Sequence, residues 1–307
     1  MTKVERMMAA INFEKVDRIP RGEFNLDDNF VGNLLGLKEN VKFEDRVKAC
    51  ELCGLDALAF SPEPFAASPS VGSTATESPA DKFEVWKELK LWRKETDFFI
   101  FALIDGPFQG TAKLFSSFTN YLLAIAQGDP AIPEVVKAGV ATNIELGLNA
   151  LALGAHGIII ADDIAYNGGT FVSPTALRMN FFPALREQVE TLQREKVPVF
   201  FHADGDLKKV LEDIINLGVD GLHSLDFPSL SEIDKVRKAT ANTACLMGGY
   251  DLGWFEEENR TEKALNLLEV TAKGGGYIFG SSAGILGMGQ TPQHVMEVYQ
   301  FVNNFKV

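Results

Sequence analysis

Eight short apolar runs, each closing on polar residues and separated by stretches of helical periodicity, constrain this 307-residue chain more than any other feature. The runs are Arg18–Asn25, Ala57–Ser61, Phe98–Ile104, Gly157–Ala161, Val197–His202, Gly221–Leu225, Thr243–Met247 and Tyr277–Ser281. Between them, Val136, Val140, Ile144, Leu148 and Leu151 recur at helical spacing, as do Leu207, Val210, Leu211, Ile214 and Ile215 ahead of Gly218. Thr291 followed by Pro292 announces a last helix with Val295, Val298 and Val302 on one face. Eight strands alternating with helices predict an α/β chain folded as a (β/α)8 TIM barrel. A doubly wound open sheet uses the same alternation and differs in strand order.

The polar residues tilt the choice. The runs end at Glu23, at Ser61 then Glu63, at Asp105, at Asp162 and Asp163, at His202 then Asp204, at Asp226, at Asp251, and at Ser281 with Ser282. A barrel gathers such ends at one mouth, where active sites are built, whereas an open sheet spreads them along an edge. Composition hardly shifts along the chain, and no Pro/Ser-rich or charged linker divides it, so residues 1–307 read as a single domain. The segment from Asp105 to Gly128 is long for a βα connection and reads as a mouth-covering loop or short helix.

Charge and cysteine content narrow the function classes. Forty-two acidic against 29 basic residues give a net charge of −13, and no Lys/Arg block offers the footprint of a nucleic-acid or membrane binder. Three cysteines, Cys50, Cys53 and Cys245, are too few for a disulfide framework and suit a reducing, cytoplasmic setting. Lys3, Glu5 and Arg6 interrupt any signal-peptide core, and no uncharged apolar run reaches the roughly 18 residues of a membrane span. Cys50 and Cys53 fall within a helical stretch, Phe43–Cys53, and read as helix core; Gly274-Gly275-Gly276 reads as a turn. No G-x-S-x-G elbow, H-E-x-x-H helix or kinase signature occurs.

The strongest local signal is His202-Ala203-Asp204-Gly205-Asp206 after the apolar Val197–Phe201 run. An imidazole there can donate a proton, bind a metal or hydrogen-bond the next loop. Asp162-Asp163 precedes Tyr166 and Asn167, so two carboxylates, a phenol and an amide follow one strand. Strand alternation sends the paired carboxylates in different directions, with Asp163 favoured for the mouth. Asp226 and Glu23 end two further strands, and carboxylates gathered together raise one another's pKa, which lets one stay protonated as a general acid. The competing reading for each is turn capping or a solvated ion pair. Phe24, Phe60, Phe65, Phe108, Phe171, Phe227, Met247, Tyr250 and Met288 near strand ends could line an apolar pocket or belong to the core.

Several phrases in order and spacing carry a family likeness. They are Arg6 then Phe13–Pro20, Asp105-Gly106-Pro107-Phe108, Asp162-Asp163-Ile164 with Val172-Ser173-Pro174, His202–Asp206, Leu246–Asp251, and Gly275-Gly276-Tyr277 with Thr291-Pro292. Across nearly its whole length the chain resembles the uroporphyrinogen decarboxylase superfamily, which implies a (β/α)8 barrel. That superfamily holds decarboxylases and corrinoid (cobalamin)-dependent methyltransferases. The decarboxylases carry an Arg-rich P-x-W-x-M-R-Q-A-G-R segment where this chain has Pro20-Arg21-Gly22-Glu23-Phe24-Asn25-Leu26-Asp27-Asp28. The methyltransferase branch is the closer likeness, with a zinc-holding H-x-C-G, a carboxylate on the following strand and a later Cys. Here those positions read His202-Ala203-Asp204-Gly205, Asp226 and Ala283, so both thiolates are gone.

An oxygen-rich His/Asp set suits a harder metal or metal-free acid catalysis better than activation of a thiol. The resemblance therefore implies a methyltransferase similar to methyltransferase I of the aromatic O-demethylase systems of anaerobic one-carbon metabolism. Such an enzyme passes the methyl of a methoxylated, aromatic small molecule to Co(I) on a separate corrinoid protein. The expected catalytic residues are His202, Asp204, Asp226, Asp163 and Glu23, and the expected substrate contacts are Tyr166, Asn167, Phe24, Tyr250, Met247 and Ser282. Zinc stays a candidate on His202, Asp204 and Asp226, and a homodimer is compatible with the sequence. The alternatives are a uroporphyrinogen decarboxylase-type decarboxylase and a metal-dependent lyase.

Overall fold

The structure, a computed structural model, describes residues 1–38, 40–62, 85–227, 229–287 and 289–305. Glu63, Phe65, Pro228 and Met288, which the sequence places at or near strand ends, lie outside the described residues. The chain forms two compact units. One comprises Met1–Ala59, Glu95–Ile100 and Gly221–Val307, and the other Phe60–Lys94 and Phe101–Asp220. No helix among the described residues is long and apolar enough to cross a membrane.

The second unit is built on three parallel strands, Phe99–Asp105 (from Phe101 onward), Gly157–Ala161 and Val199–His202. Their near-continuous apolar sequences, FIFALID, GIIIA and VFFH, mark strands covered on both faces, and all but Asp105 are buried. Register fixes the strand ends at one level: Asp105 pairs with Ala161, and Ala161 with His202. Past the ladder, the Gly106 N–H donates to the Ala161 carbonyl at 2.7 Å and the Asp162 N–H to the His202 carbonyl at 2.8 Å. The helices Ile132–Ala152 and Phe182–Gln193 pack close together at Gly147, where a Cβ would stand 2.8 Å from a Leu192 methyl.

In the first unit the parallel strands Gly221–His223, Cys245–Met247 and Tyr277–Ile278 pair in order. The expected first strand survives as single bridges, Arg21 to Phe279 and Gly22 to Ala57, followed by the short strand Asn25–Leu26 on Ile285–Leu286. Pro20 has no N–H to give a ladder, and the carbonyl of Gly284 takes the N–H groups of Phe24 and Asn25, so pairing is interrupted there. The last expected strand is likewise shortened to Tyr277–Ile278, with Ser281 bridging Tyr250. Asp56, fully buried, anchors the N-terminal segment: its oxygens accept from Arg6 Nη1, from Arg18 Nη1 and Nη2, and from the Arg21 N–H.

Several local expectations meet definite structures. The segment after Asp105 folds as two helices, Pro107–Ala112 and Phe118–Gln127, the second capped by Ser117 and closed by left-handed Gly128. The last helix, Pro292–Asn304, starts at Pro292 and buries Val295, Val298 and Val302, but Thr291 does not cap it with its side chain. The Thr291 hydroxyl and N–H donate instead to Glu256, at 2.8 and 2.6 Å. Cys50, Cys53 and Cys245 are free and buried.

Candidate active site

The aligned strand ends of the second unit put two carboxylates, Asp163 and Asp204, and the imidazole of His202 within reach of one another. Asp162 and Asp163 follow Gly157–Ala161, and His202 closes Val199–His202 two residues before Asp204. The ligand-capable atoms of Asp163, His202 and Asp204 all lie within 4.8 Å of one another. Oδ1 of Asp163 accepts the Asp204 N–H at 3.0 Å and stands 3.9 Å from Nε2 of His202. His202 is buried, Asp163 half-exposed and Asp204 exposed, so the set opens to solvent on its carboxylate side.

Gln109, in the short helix after Asp105, holds these loops in register. Its side-chain oxygen accepts the Asp163 N–H at 3.2 Å, and its amide nitrogen donates to Asp105 Oδ1 at 3.1 Å. Its own backbone N–H donates to Asp162 Oδ1 at 2.7 Å. Asp162 is thereby drawn inside, against Gly106, where a Cβ would come within 2.4 Å of the carboxyl carbon. Burial pushes this carboxyl up to about 8, against the backbone N–H groups of Gln109 and Phe108, which favour the anion. Its Oδ2 finds no partner among the described residues. Sequence reasoning missed Gln109; its one signal is its place in the first turn of a helix that follows a strand-end Asp-Gly-Pro.

Tyr166 sits beside this set. The two-residue strands Ala165–Tyr166 and Gly169–Thr170 make a hairpin with Asn167 exposed at its turn. The Tyr166 backbone packs on Gly205, whose φ of +87° and distance of 2.6 Å from a would-be Cβ to Tyr166 N leave room for no side chain. The Asp206 N–H then donates to the Tyr166 carbonyl at 3.0 Å. The Tyr166 ring is half-exposed and stacks on Phe171 at 5.4 Å, with Phe118 edge-on to Phe171 at 5.0 Å. An aromatic surface therefore adjoins the loop that carries Asp204.

The other expected residues belong to the first unit. Glu23 is wholly buried; its carboxylate accepts the Ser281 N–H and hydroxyl, both at 2.6 Å, and the Tyr299 hydroxyl. Burial pushes Glu23 up to about 7, opposed by those hydrogen bonds. The Asp226 N–H donates to the Ser224 hydroxyl at 3.3 Å, and Asp226 is not one of the three residues that meet around His202; Asp163 is. Phe24 is buried, its ring 4.4 Å from that of His223. Tyr250 and Met247 are core residues: the Tyr250 hydroxyl donates to the Arg260 carbonyl at 3.0 Å, and Met247 fills the space beside Gly22. Ser282 is buried and its N–H donates to the Tyr250 carbonyl.

The residues around His202 fit a divalent ion in kind, one imidazole and two carboxylates, a harder donor set than thiolates offer. Without an ion the same groups can hold and pass a proton.

Comparison with known proteins places these features. No curated protein sequence matches the chain. Among solved structures, a methyltransferase from Methanosarcina mazei superposes with a TM-score of 0.76 at 17% identity, covering 98% of each chain. A protein assigned as a vitamin B12-independent methionine synthase from Listeria monocytogenes gives 0.51 at 13% identity, covering 94% of this chain and 98% of the other. At these identities the likeness is one of fold, the (β/α)8-barrel class of α/β proteins. The family model for uroporphyrinogen decarboxylase (URO-D) matches residues 74–305, most of the chain. With strand-end carboxylates and histidine on that fold, the chain belongs to the uroporphyrinogen decarboxylase (URO-D) family.

Proposed function

We propose that this chain is a methyltransferase that takes the methyl group of a methoxylated aromatic small molecule and delivers it to a corrinoid carried by a partner protein. The observation that carries the reading is the meeting of Asp163, His202 and Asp204, with the half-exposed Tyr166 packed by its backbone on Gly205 of the Asp204 loop. Family membership and a methyltransferase of the same fold support it. In that reaction Co(I) supplies the nucleophile.

The chain's own task is the leaving group. A phenolate departs slowly unless its oxygen is protonated or bound to a Lewis acid as the C–O bond breaks. His202 can give that proton, with Oδ1 of Asp163 3.9 Å from its Nε2. Asp204, tied to Asp163 through its N–H, stands on the solvent side of the set. If a divalent ion is bound instead, these three residues would hold it and it would supply Lewis acidity at the ether oxygen. Tyr166 and Phe171 offer the substrate ring a stacking face.

The decarboxylase reading needs guanidinium groups for a polycarboxylate. Arg21 is the one arginine in residues 20–28, and it is buried with its Nη atoms on Tyr299 and Asn303. The deciding assay is the corrinoid absorbance change with purified protein, a reduced corrinoid protein and a panel of methoxyarenes. A change that needs both this protein and a methoxyarene is the expected result. No change across the panel with a competent corrinoid protein, together with turnover of a porphyrinogen, overturns the reading. Chelator treatment then separates the ion-dependent version, which loses activity, from the acid version, which keeps it.

A further inference from the structure

Arg21 is a buried cation whose hydrogen-bond acceptors are neutral. Arg21 is 5% exposed and its guanidinium packs against Gly54, where a Cβ would come within 2.5 Å of Nη2. Nη1 donates to the Tyr299 carbonyl at 2.9 Å and Nη2 to Oδ1 of Asn303 at 3.1 Å. Its Nε is buried with no acceptor among the described residues. The carboxylates of this region serve other arginines: Asp56 binds the side chains of Arg6 and Arg18, and Asp17 binds Arg6. The Arg21 guanidinium bonds to neither of these carboxylates. Burial lowers the Arg21 guanidinium to about 10 and Arg18 repels it further, and the attraction of Asp56 offsets this only in part. The end of Pro292–Asn304 offers the partial negative charge of its last carbonyls, which is less than a full counter-charge.

The same guanidinium lines an open cavity of about 300 Å³, together with Leu52, Gly54, Gln300, Asn303 and Asn304. Among the described residues no carboxylate is in that lining; three side-chain amides and one cation are. None of these residues takes part in the Asp163–His202–Asp204 set. A charged acceptor in the cavity would complete the balance that Asp56 and Asp17 leave open, and a guanidinium with amide donors around it suits an oxyanion. We infer that this cavity is a second binding site, taking the phosphate or carboxylate group of a small molecule through Arg21 and the amides of Gln300, Asn303 and Asn304.

The test is calorimetric titration and thermal melting of the full chain with inorganic phosphate and, separately, malonate, with ionic strength held constant by chloride. Saturable binding of one or both, with a rise in melting temperature beyond that in chloride, is expected; the anion that saturates at lower concentration names the group. Asn303→Asp places a carboxylate where the amide oxygen meets Nη2. It should melt at least as high as the wild type without anion and bind the anion at least about tenfold more weakly. Gln300→Glu and Asn304→Asp, at exposed positions, should each weaken binding in the same direction. No saturable binding of either anion to the wild type overturns the inference. So does wild-type affinity in all three variants, which would put the anion elsewhere on the chain.

Discussion

The backbone N–H of Asp204 donates to Oδ1 of Asp163 at 3.0 Å, which ties together the loops that follow two neighbouring strands. Asp163→Asn keeps an oxygen for that bond and removes the charge, whereas Asp163→Ala removes both. If the set holds an ion, zinc or manganese titration should show about 10- to 100-fold weaker binding in Asp163→Asn. Asp163→Ala should add a stability loss of about 1 kcal/mol from the missing hydrogen bond, read by chemical denaturation. Wild-type ion affinity in Asp163→Asn would remove Asp163 from the ligand set.

His202 is the one imidazole of that set, so its removal should be felt in the chemical step. His202→Ala should lower the initial rate of methyl transfer by about 100-fold or more, the usual worth of a positioned acid or base. A rate within about threefold of wild type would take His202 out of the chemistry.

Glu23 predicts a pH dependence of stability. Its folded-state pKa of about 7 exceeds the ordinary 4.5, so the folded chain holds the proton more tightly than the unfolded one. The stabilisation from that proton is fully present below about pH 4.5 and is lost as pH rises through about 7, on the order of 3 kcal/mol in all. Glu23→Gln stays neutral and can keep the contacts with Ser281 and Tyr299, so its melting temperature should change less between pH 5 and 7.5. Parallel profiles for variant and wild type would show that Glu23 does not titrate in that window.

The hairpin bearing Tyr166 rests on Gly205. Gly205→Ala must put a Cβ 2.6 Å from the Tyr166 backbone at a φ of +87°, and should cost at least about 2 kcal/mol in denaturant unfolding. Tyr166→Ala, at a half-exposed position, should leave stability nearly unchanged and raise KM for aromatic donors while kcat changes less. An unaltered KM would discount the stacking face.

What could be read in the sequence follows from how each feature is specified. Runs such as Ile158–Ile160 and Phe200–Phe201 are strands because both faces are covered, and their apolar continuity says so directly. The helix Ile132–Ala152 shows itself by spacing, and His202 and Asp204 stand out at a strand end. Gln109 does not, because its role comes from a register that sets Asp105 beside Ala161. Nor can sequence assign Asp163 rather than Asp226 to the set around His202, since that depends on which loops approach each other in three dimensions. Tyr250 and Met247 looked like pocket residues for the same reason: apolar side chains near strand ends serve core and cavity alike. The first strand is blurred by Pro20, and the Asp56 network joins residues 38 and 50 positions apart.

The two units differ in when their parts become available during synthesis. Phe60–Lys94 and Phe101–Asp220 form a nearly unbroken stretch, so the second unit has every residue it needs once Asp220 has left the ribosome. The first unit must wait: Asn25–Leu26 pairs with Ile285–Leu286, and Arg21 docks on Tyr299 and Asn303 in the final helix. Asn25–Leu26 and the Arg21 side chain thus wait for residues about 260 to 280 positions later, whereas Asp56 is available to Arg6, Arg18 and the Arg21 N–H almost at once.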